Sequence, residues 1–186
     1  METTMNTAYA MHKGAFGQAI VLECTANLVE HSHSETQLAL WLGGARATAR
    51  IGSELVHYSE DTALGSNAFE SHDMTLLDSG VCVFIVFMIS SEWLEERRKA
   101  TGRPFVFLTP RVSLDATLRQ ACWRVLDLII TKEASATAID AEVEQLLTAA
   151  VGASMATPNA PKPHSIGPAL DYRLRTAIEY MREHIS

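Results

Sequence analysis

Residues 81–89 read VCVFIVFMI, nine apolar side chains in a row, bounded by Asp78-Ser79-Gly80 before and Ser90-Ser91 after. The run is less than half of the roughly 20 residues that a helix needs to cross a bilayer. It is rich in β-branched and aromatic residues and closed off by turn formers. Such a run reads as a buried strand and not as a membrane segment.

The rest of the first half extends that reading. Candidate strands cover residues 19–24, 36–42, 45–51, 54–58, 62–64 and 74–77. They are separated by Asn27, Gly43-Gly44, Gly52-Ser53, Ser59-Glu60-Asp61, Gly65-Ser66-Asn67 and Asp78-Ser79-Gly80. Short strands joined by turns argue for an antiparallel sandwich or barrel, because a parallel sheet would need crossover helices that this region lacks. After residue 89 the pattern becomes helical. Residues 91–100 place acids in the first turn and bases in the last, and Gly102 ends the helix. Ser113 is the expected cap of a second helix, with Leu114, Leu118, Cys122, Val125, Leu126 and Ile129 along one stripe. Thr137 is the expected cap of a third, with Ile139, Val143, Leu146, Leu147 and Ala150 on one side and Gly152 at its end. The expected fold class is mainly β with C-terminal helices: an antiparallel jelly-roll-type barrel over residues 18–110, then a helical hairpin over 111–152. Residues 153–168, with Pro158, Pro161, Pro163 and Pro168, read as an extended linker. Residues 169–186 form one more amphipathic helix, through Leu170, Leu174, Ala177, Ile178, Met181 and Ile185. A lone helix beyond a linker is not a domain, so this segment is expected to open a domain that continues elsewhere.

Charge narrows the function. The chain of 186 residues carries 15 Lys and Arg against 22 Asp and Glu, a net charge of −7. Such a chain repels phosphates and is a poor unaided binder of nucleic acid. Cys24, Cys82 and Cys122 are odd in number and widely spaced, which points to reduced, buried thiols and a cytoplasmic protein. The N-terminus shows no apolar stretch of the secretory kind. There is no Gly-x-Ser-x-Gly elbow, P-loop or dinucleotide-type glycine motif.

The chemistry gathers in His31-Ser32-His33-Ser34-Glu35-Thr36-Gln37. On one extended strand, His31, His33, Glu35 and Gln37 would share a face. Two imidazoles and an amide oxygen can hold zinc, iron, manganese or nickel, and His72 can supply a third imidazole. The plain alternative is that these histidines only hydrogen-bond locally, with Glu35 a solvated rim residue. The other face carries Leu38, Leu40 and Leu42, which calls for a second apolar layer outside the barrel, and the hairpin can provide it. Trp41, Phe69, Phe84, Phe87 and Met88 can line a cavity or simply fill the core. Trp93 reads as a packing residue, and Asn67 as a left-handed turn residue. The second and third helices either cover the barrel or pair across a two-fold axis through Leu118, Cys122, Val125, Leu126 and Ile129.

His31-x-His33-x-x-x-Gln37, followed seven residues later by Gly44, resembles the first cupin motif, with glutamine in place of the usual glutamate. Residues 65–72 resemble the second motif without its proline and second glycine, ending on the expected His72. The order of a His-x-His barrel, two helices, a linker and the pattern Asp171-x-Arg173-x-x-x-Ala177-x-x-Tyr180-x-x-x-His184 resembles AraC-type transcription regulators from about residue 18 onward. That resemblance implies a bacterial effector-sensing and dimerising domain, not an enzyme. Its small-molecule effector would meet His31, His33, Gln37, Trp41 and His72, with residues 1–17 as an arm closing over the pocket. Operator DNA would be read only through helix-turn-helix units beyond this chain. The alternative is a metal-dependent cupin enzyme, an oxygenase or isomerase, using His31, His33, Gln37 and His72.

Overall fold

Alternation of side chains along a strand sets the architecture, which a computed structural model describes for residues 6–154. In chain order the elements are β1 Thr7–Gly14, β2 Gly17–Cys24, β3 Leu28–His31, β4 Thr36–Gly44, β5 Ala47–Ile51, β6 Glu54–His57, β7 Thr62–Ser66, β8 His72–Leu76, β9 Cys82–Ile89, α1 Ser91–Thr101, β10 Arg111–Ser113, α2 Ala116–Thr131 and α3 Ala136–Ser154. One sheet has the order β1-β2-β9-β4-β7-β10 and the other β3-β8-β5-β6. Their strand pairings are antiparallel. Without the outer strands β1 and β10, two four-stranded sheets remain, β2-β9-β4-β7 and β3-β8-β5-β6, between which the chain passes back and forth. That is the double-sheet jelly roll of cupin-like folds.

The two faces of β9 fill two different cores. Val83, Ile85, Phe87 and Ile89 point outward into a core completed by the helices. Cys82, Phe84 and Val86 point inward, between the sheets, with Cys24, Ala39, Ala49, Tyr58, Leu64 and Met74. β4 divides in the same way, sending Leu38, Leu40 and Leu42 outward and Ala39 inward. The hairpin α2–α3 supplies the outer layer that the leucines demand. This changes the reading of the five residues expected at a dimer interface. Leu118, Cys122, Val125, Leu126 and Ile129 are at most 5% exposed within the single chain. Side chains already buried against their own sheet have no apolar area left for a partner.

Several boundaries move. Residues 7–14, expected as an arm, form β1, hydrogen-bonded to β2 from Thr7 opposite Glu23 to Gly14 opposite Gly17. Phe16 is core. His12 Nε2 lies 2.8 Å from Asp140 Oδ1 on α3, and the Ala15 N–H donates to Asp140 Oδ2 at 3.0 Å. Gly14 permits this contact, since a Cβ there would fall 1.8 Å from Asp140 Oδ1. Ser113 is not a helix cap. It lies in β10 opposite Thr62, and Asp115 caps α2 by accepting from the Leu118 N–H at 2.8 Å. At α3, Ser135 rather than Thr137 takes the cap position, its Oγ accepting from the Ala138 N–H at 3.3 Å. The helix runs through Gly152 to Ser154. The four linker prolines and the helix expected over residues 169–186 lie outside the described residues.

Candidate metal centre

The His-x-His segment is not one continuous strand. β3 ends on His31 and β4 begins at Thr36, so residues 32–35 cross from the four-stranded to the six-stranded sheet. The shared strand face expected for His31, His33, Glu35 and Gln37 therefore does not exist. The histidines converge by another route. His31 stands directly opposite His72 of β8, after an irregularity between Leu28 and His31. Such a bulge re-aims the side chains beyond it, and here both Leu28 and His31 turn toward the barrel interior. His33 comes in from the crossover. The ring centroids lie 4.4 Å apart for His31 and His72, 5.0 Å for His33 and His72, and 6.0 Å for His31 and His33. His72 is buried, His33 half-buried and His31 exposed, so the group opens to solvent on the His31 side.

Backbone carbonyls set the protonation of all three rings. His31 Nδ1 lies 2.8 Å from the Val29 carbonyl oxygen, His33 Nδ1 2.8 Å from that of Glu35, and His72 Nδ1 2.9 Å from that of Glu70. A carbonyl only accepts, so each Nδ1 carries the proton. In a neutral ring the lone pair is then left on Nε2. One ring nitrogen from each histidine lies within 4.8 Å of the others. Burial, the largest influence, holds the His72 pKa below the usual histidine value, and the nearby His31 and His33 push it the same way against the Glu70 hydrogen bond. His72 is thus kept neutral, the form in which imidazole donates a lone pair.

The residues fit a cation. His72 Nε2 is buried with no hydrogen-bond partner among the described residues, and a buried polar atom left unsatisfied costs about 1–3 kcal/mol. Three imidazoles whose second nitrogens are held by carbonyls form the donor set of a zinc, iron, manganese or nickel site. Gln37 stands beside it, its side-chain amide 2.8 Å from His33 Nε2; with the lone pair on that nitrogen, the amide's NH2 is the end that can face it. Glu35 sits at the rim as expected, 3.9 Å from His33 Nδ1 and with its side chain 41% exposed.

Other candidates fall elsewhere. Trp41 is four residues beyond Gln37, about 13 Å along β4, and its indole N–H donates to the Ala45 carbonyl at 3.1 Å. It belongs to the far end of the barrel. Phe84 is inner core, edge-on to Tyr58, whereas Phe87 faces the helices. Met88 points inward and is Gln37's partner in the β4–β9 register. The left-handed turn falls on Phe69, with φ 65°, and not on Asn67. The Phe69 N–H donates to the His33 carbonyl at 2.8 Å, and its ring is 73% exposed, neither core nor cavity lining. Asn67 is a tie: its Oδ1 accepts from the Phe107 N–H at 2.9 Å and its Nδ2 donates to the Phe107 carbonyl at 3.0 Å. Trp93 packs against Phe105 as expected.

Ser66 is a residue that sequence reasoning missed. It lies opposite Gln37 in the β4–β7 register, is fully buried, and its hydroxyl has no partner among the described residues. Taken as part of a Gly-Ser-Asn turn, it is in fact the last inward position of β7 after Leu64, and alternation from Leu64 would have signalled that.

No protein-family model and no curated protein matches the chain. Among solved structures, it is similar over 40% of its length to AerE from Microcystis aeruginosa, with 18% identity and a TM-score of 0.36, spanning 37% of that protein. It is similar over 49% of its length to a cupin domain from Bordetella pertussis Tohama I, with 9% identity and a TM-score of 0.39, spanning 99% of that chain. A cupin superfamily protein from Desulfitobacterium hafniense DCB-2 matches over 48% of this chain and 83% of its own, with 15% identity and a TM-score of 0.39. Among the described residues, no helix is long and apolar enough to cross a membrane.

Proposed function

We propose that this chain is the small-molecule-sensing part of an AraC-type transcription regulator, with a divalent cation held by His31, His33 and His72 anchoring the effector. The observation that carries the site is the convergence of three carbonyl-fixed imidazoles around a buried His72 Nε2 that has no partner. The regulator role is supported by the order of the sequence motifs and by the helical layer that follows the barrel. A bound cation supplies a fixed positive charge and an open coordination position. The carbonyls of Val29, Glu35 and Glu70 hold the three rings in the donating tautomer, with the Gln37 amide beside His33. Effector binding acts on the regulator only through different affinities for two arrangements of the whole protein. Homodimerisation and operator contact belong to the same proposal, the latter through a domain outside this chain.

Equilibrium dialysis against Zn2+ or Co2+ tests the site. One ion per chain is expected for the wild type and none for His72→Ala; a wild type that retains no ion overturns it. Light scattering tests the dimer. The open coordination position also suits a second reading, a metal-dependent cupin oxygenase or isomerase. Turnover by the metal-loaded chain would favour that reading over a sensor.

A further inference from the structure

We infer that the ligand of this centre is a small carboxylate and that the Ser66 hydroxyl is one of its contacts; the inference rests on the reading of His31, His33 and His72 as a cation-holding set. Charge carries the first half. The three histidines are neutral donors, and the adjacent fourth side chain, Gln37, is a neutral amide. Among the described residues, no carboxylate oxygen joins the three histidine nitrogens in their group. The nearby acids are engaged elsewhere. Glu35 accepts from the Ser34 hydroxyl at the rim, Glu70 is held by Asn67, and Glu30 accepts from the Ser71 hydroxyl. A divalent ion there has no carboxylate among its ligands and sits in a partly buried place, where electrostatic attraction is stronger than in water. An anion is the ligand that compensates it.

Ser66 carries the second half. Inward positions on β7 follow Leu64, and Ser66 is Gln37's cross-strand neighbour, so its hydroxyl belongs to the same inner layer as the Gln37 amide that meets His33. The hydroxyl is fully buried and unpartnered, a donor aimed at nothing in the protein. Two buried atoms lack a partner among the described residues: His72 Nε2 in the histidine group and Ser66 Oγ beside Gln37 in the register. A cation satisfies the first. A carboxylate, with two oxygens, can meet both the cation and a hydroxyl donor. The same oxygen-donor chemistry is available from water, and the experiment separates the two.

The test uses the full chain loaded with Co2+, followed by visible absorption while acetate is added, with acetamide as the neutral comparison. Wild type is expected to bind acetate and not acetamide. Ser66→Ala should retain Co2+ within threefold and weaken acetate about tenfold, the scale of one hydrogen bond to a charged group. Ser66→Thr, which keeps the hydroxyl, should restore it. Gln37→Glu should tighten Co2+ and weaken acetate by about tenfold each, because a built-in carboxylate already compensates the ion. That variant tests the charge argument even if Ser66→Ala fails to fold by circular dichroism. A wild type that binds no Co2+ overturns the cation reading itself. Co2+ binding with no preference for acetate over acetamide overturns the carboxylate. If the Co2+ spectrum also changes in Ser66→Ala without acetate, water is then the oxygen donor. Equal acetate affinity and equal spectra in wild type and Ser66→Ala overturn the Ser66 contact.

Discussion

Phe69 holds a left-handed conformation that costs a side chain with a Cβ about 1–2 kcal/mol, and its exposed ring recovers little of that by burial. Glycine would remove the strain but lose about 0.5–1 kcal/mol to the freedom of the unfolded chain. Phe69→Gly is therefore expected to raise stability by about 0.5–1 kcal/mol, read as a higher urea midpoint; a lower midpoint would show that the ring holds the turn. The cysteines give a second prediction at this scale. Burial pushes the thiols of Cys82 and Cys122 up to about 12 and that of Cys24 to about 11. At pH 8 the thiolate fraction is minute, and iodoacetamide should label none of the three in the native protein and all three after denaturation. Single residues also show what the sequence can convey. The pairing of His31 and His33 with His72 was legible from motif spacing, but the strand-face geometry behind it was not, because a crossover at residues 32–35 looks the same as a strand in a Ser-rich stretch. Ser66 was hidden by its neighbours, since Gly-Ser-Asn is equally a turn.

At the level of elements, strands buried on one or both faces announce themselves, as β2, β4, β5 and β9 do by alternation or by an unbroken apolar run. β1 was not legible. It is an edge strand, half-exposed along its length, and an edge needs little hydrophobic pattern. β3 and β10, with four and three residues, are too short to show a period. Ser113 is a cap by residue type, but its pairing with Thr62 puts it in β10, and Asp115 caps α2 in its place. Asp115→Ala should cost about 1 kcal/mol of stability by removal of the cap. Ser113→Ala, at an exposed position, should stay within about 0.5 kcal/mol, as chemical denaturation of the two variants would check.

For the whole molecule, cation binding is expected to appear as thermal stability. At a hundredfold excess of free ion over its dissociation constant, binding to the native state alone adds about 2.7 kcal/mol. For a domain of this size that is about 5–10 °C in Tm. A scan with and without Zn2+ should show this shift, EDTA should reverse it, and His72→Ala should show none; an unshifted wild type would count against the centre.

β9 is a party wall. Its inner side chains fill the core between the two sheets, and its outer ones are the floor on which α2 and α3 rest. Neither room can be emptied while the other stands, so the barrel and its helical roof should melt as one body. Any push on the inner side of that wall is felt one peptide away beneath the helices.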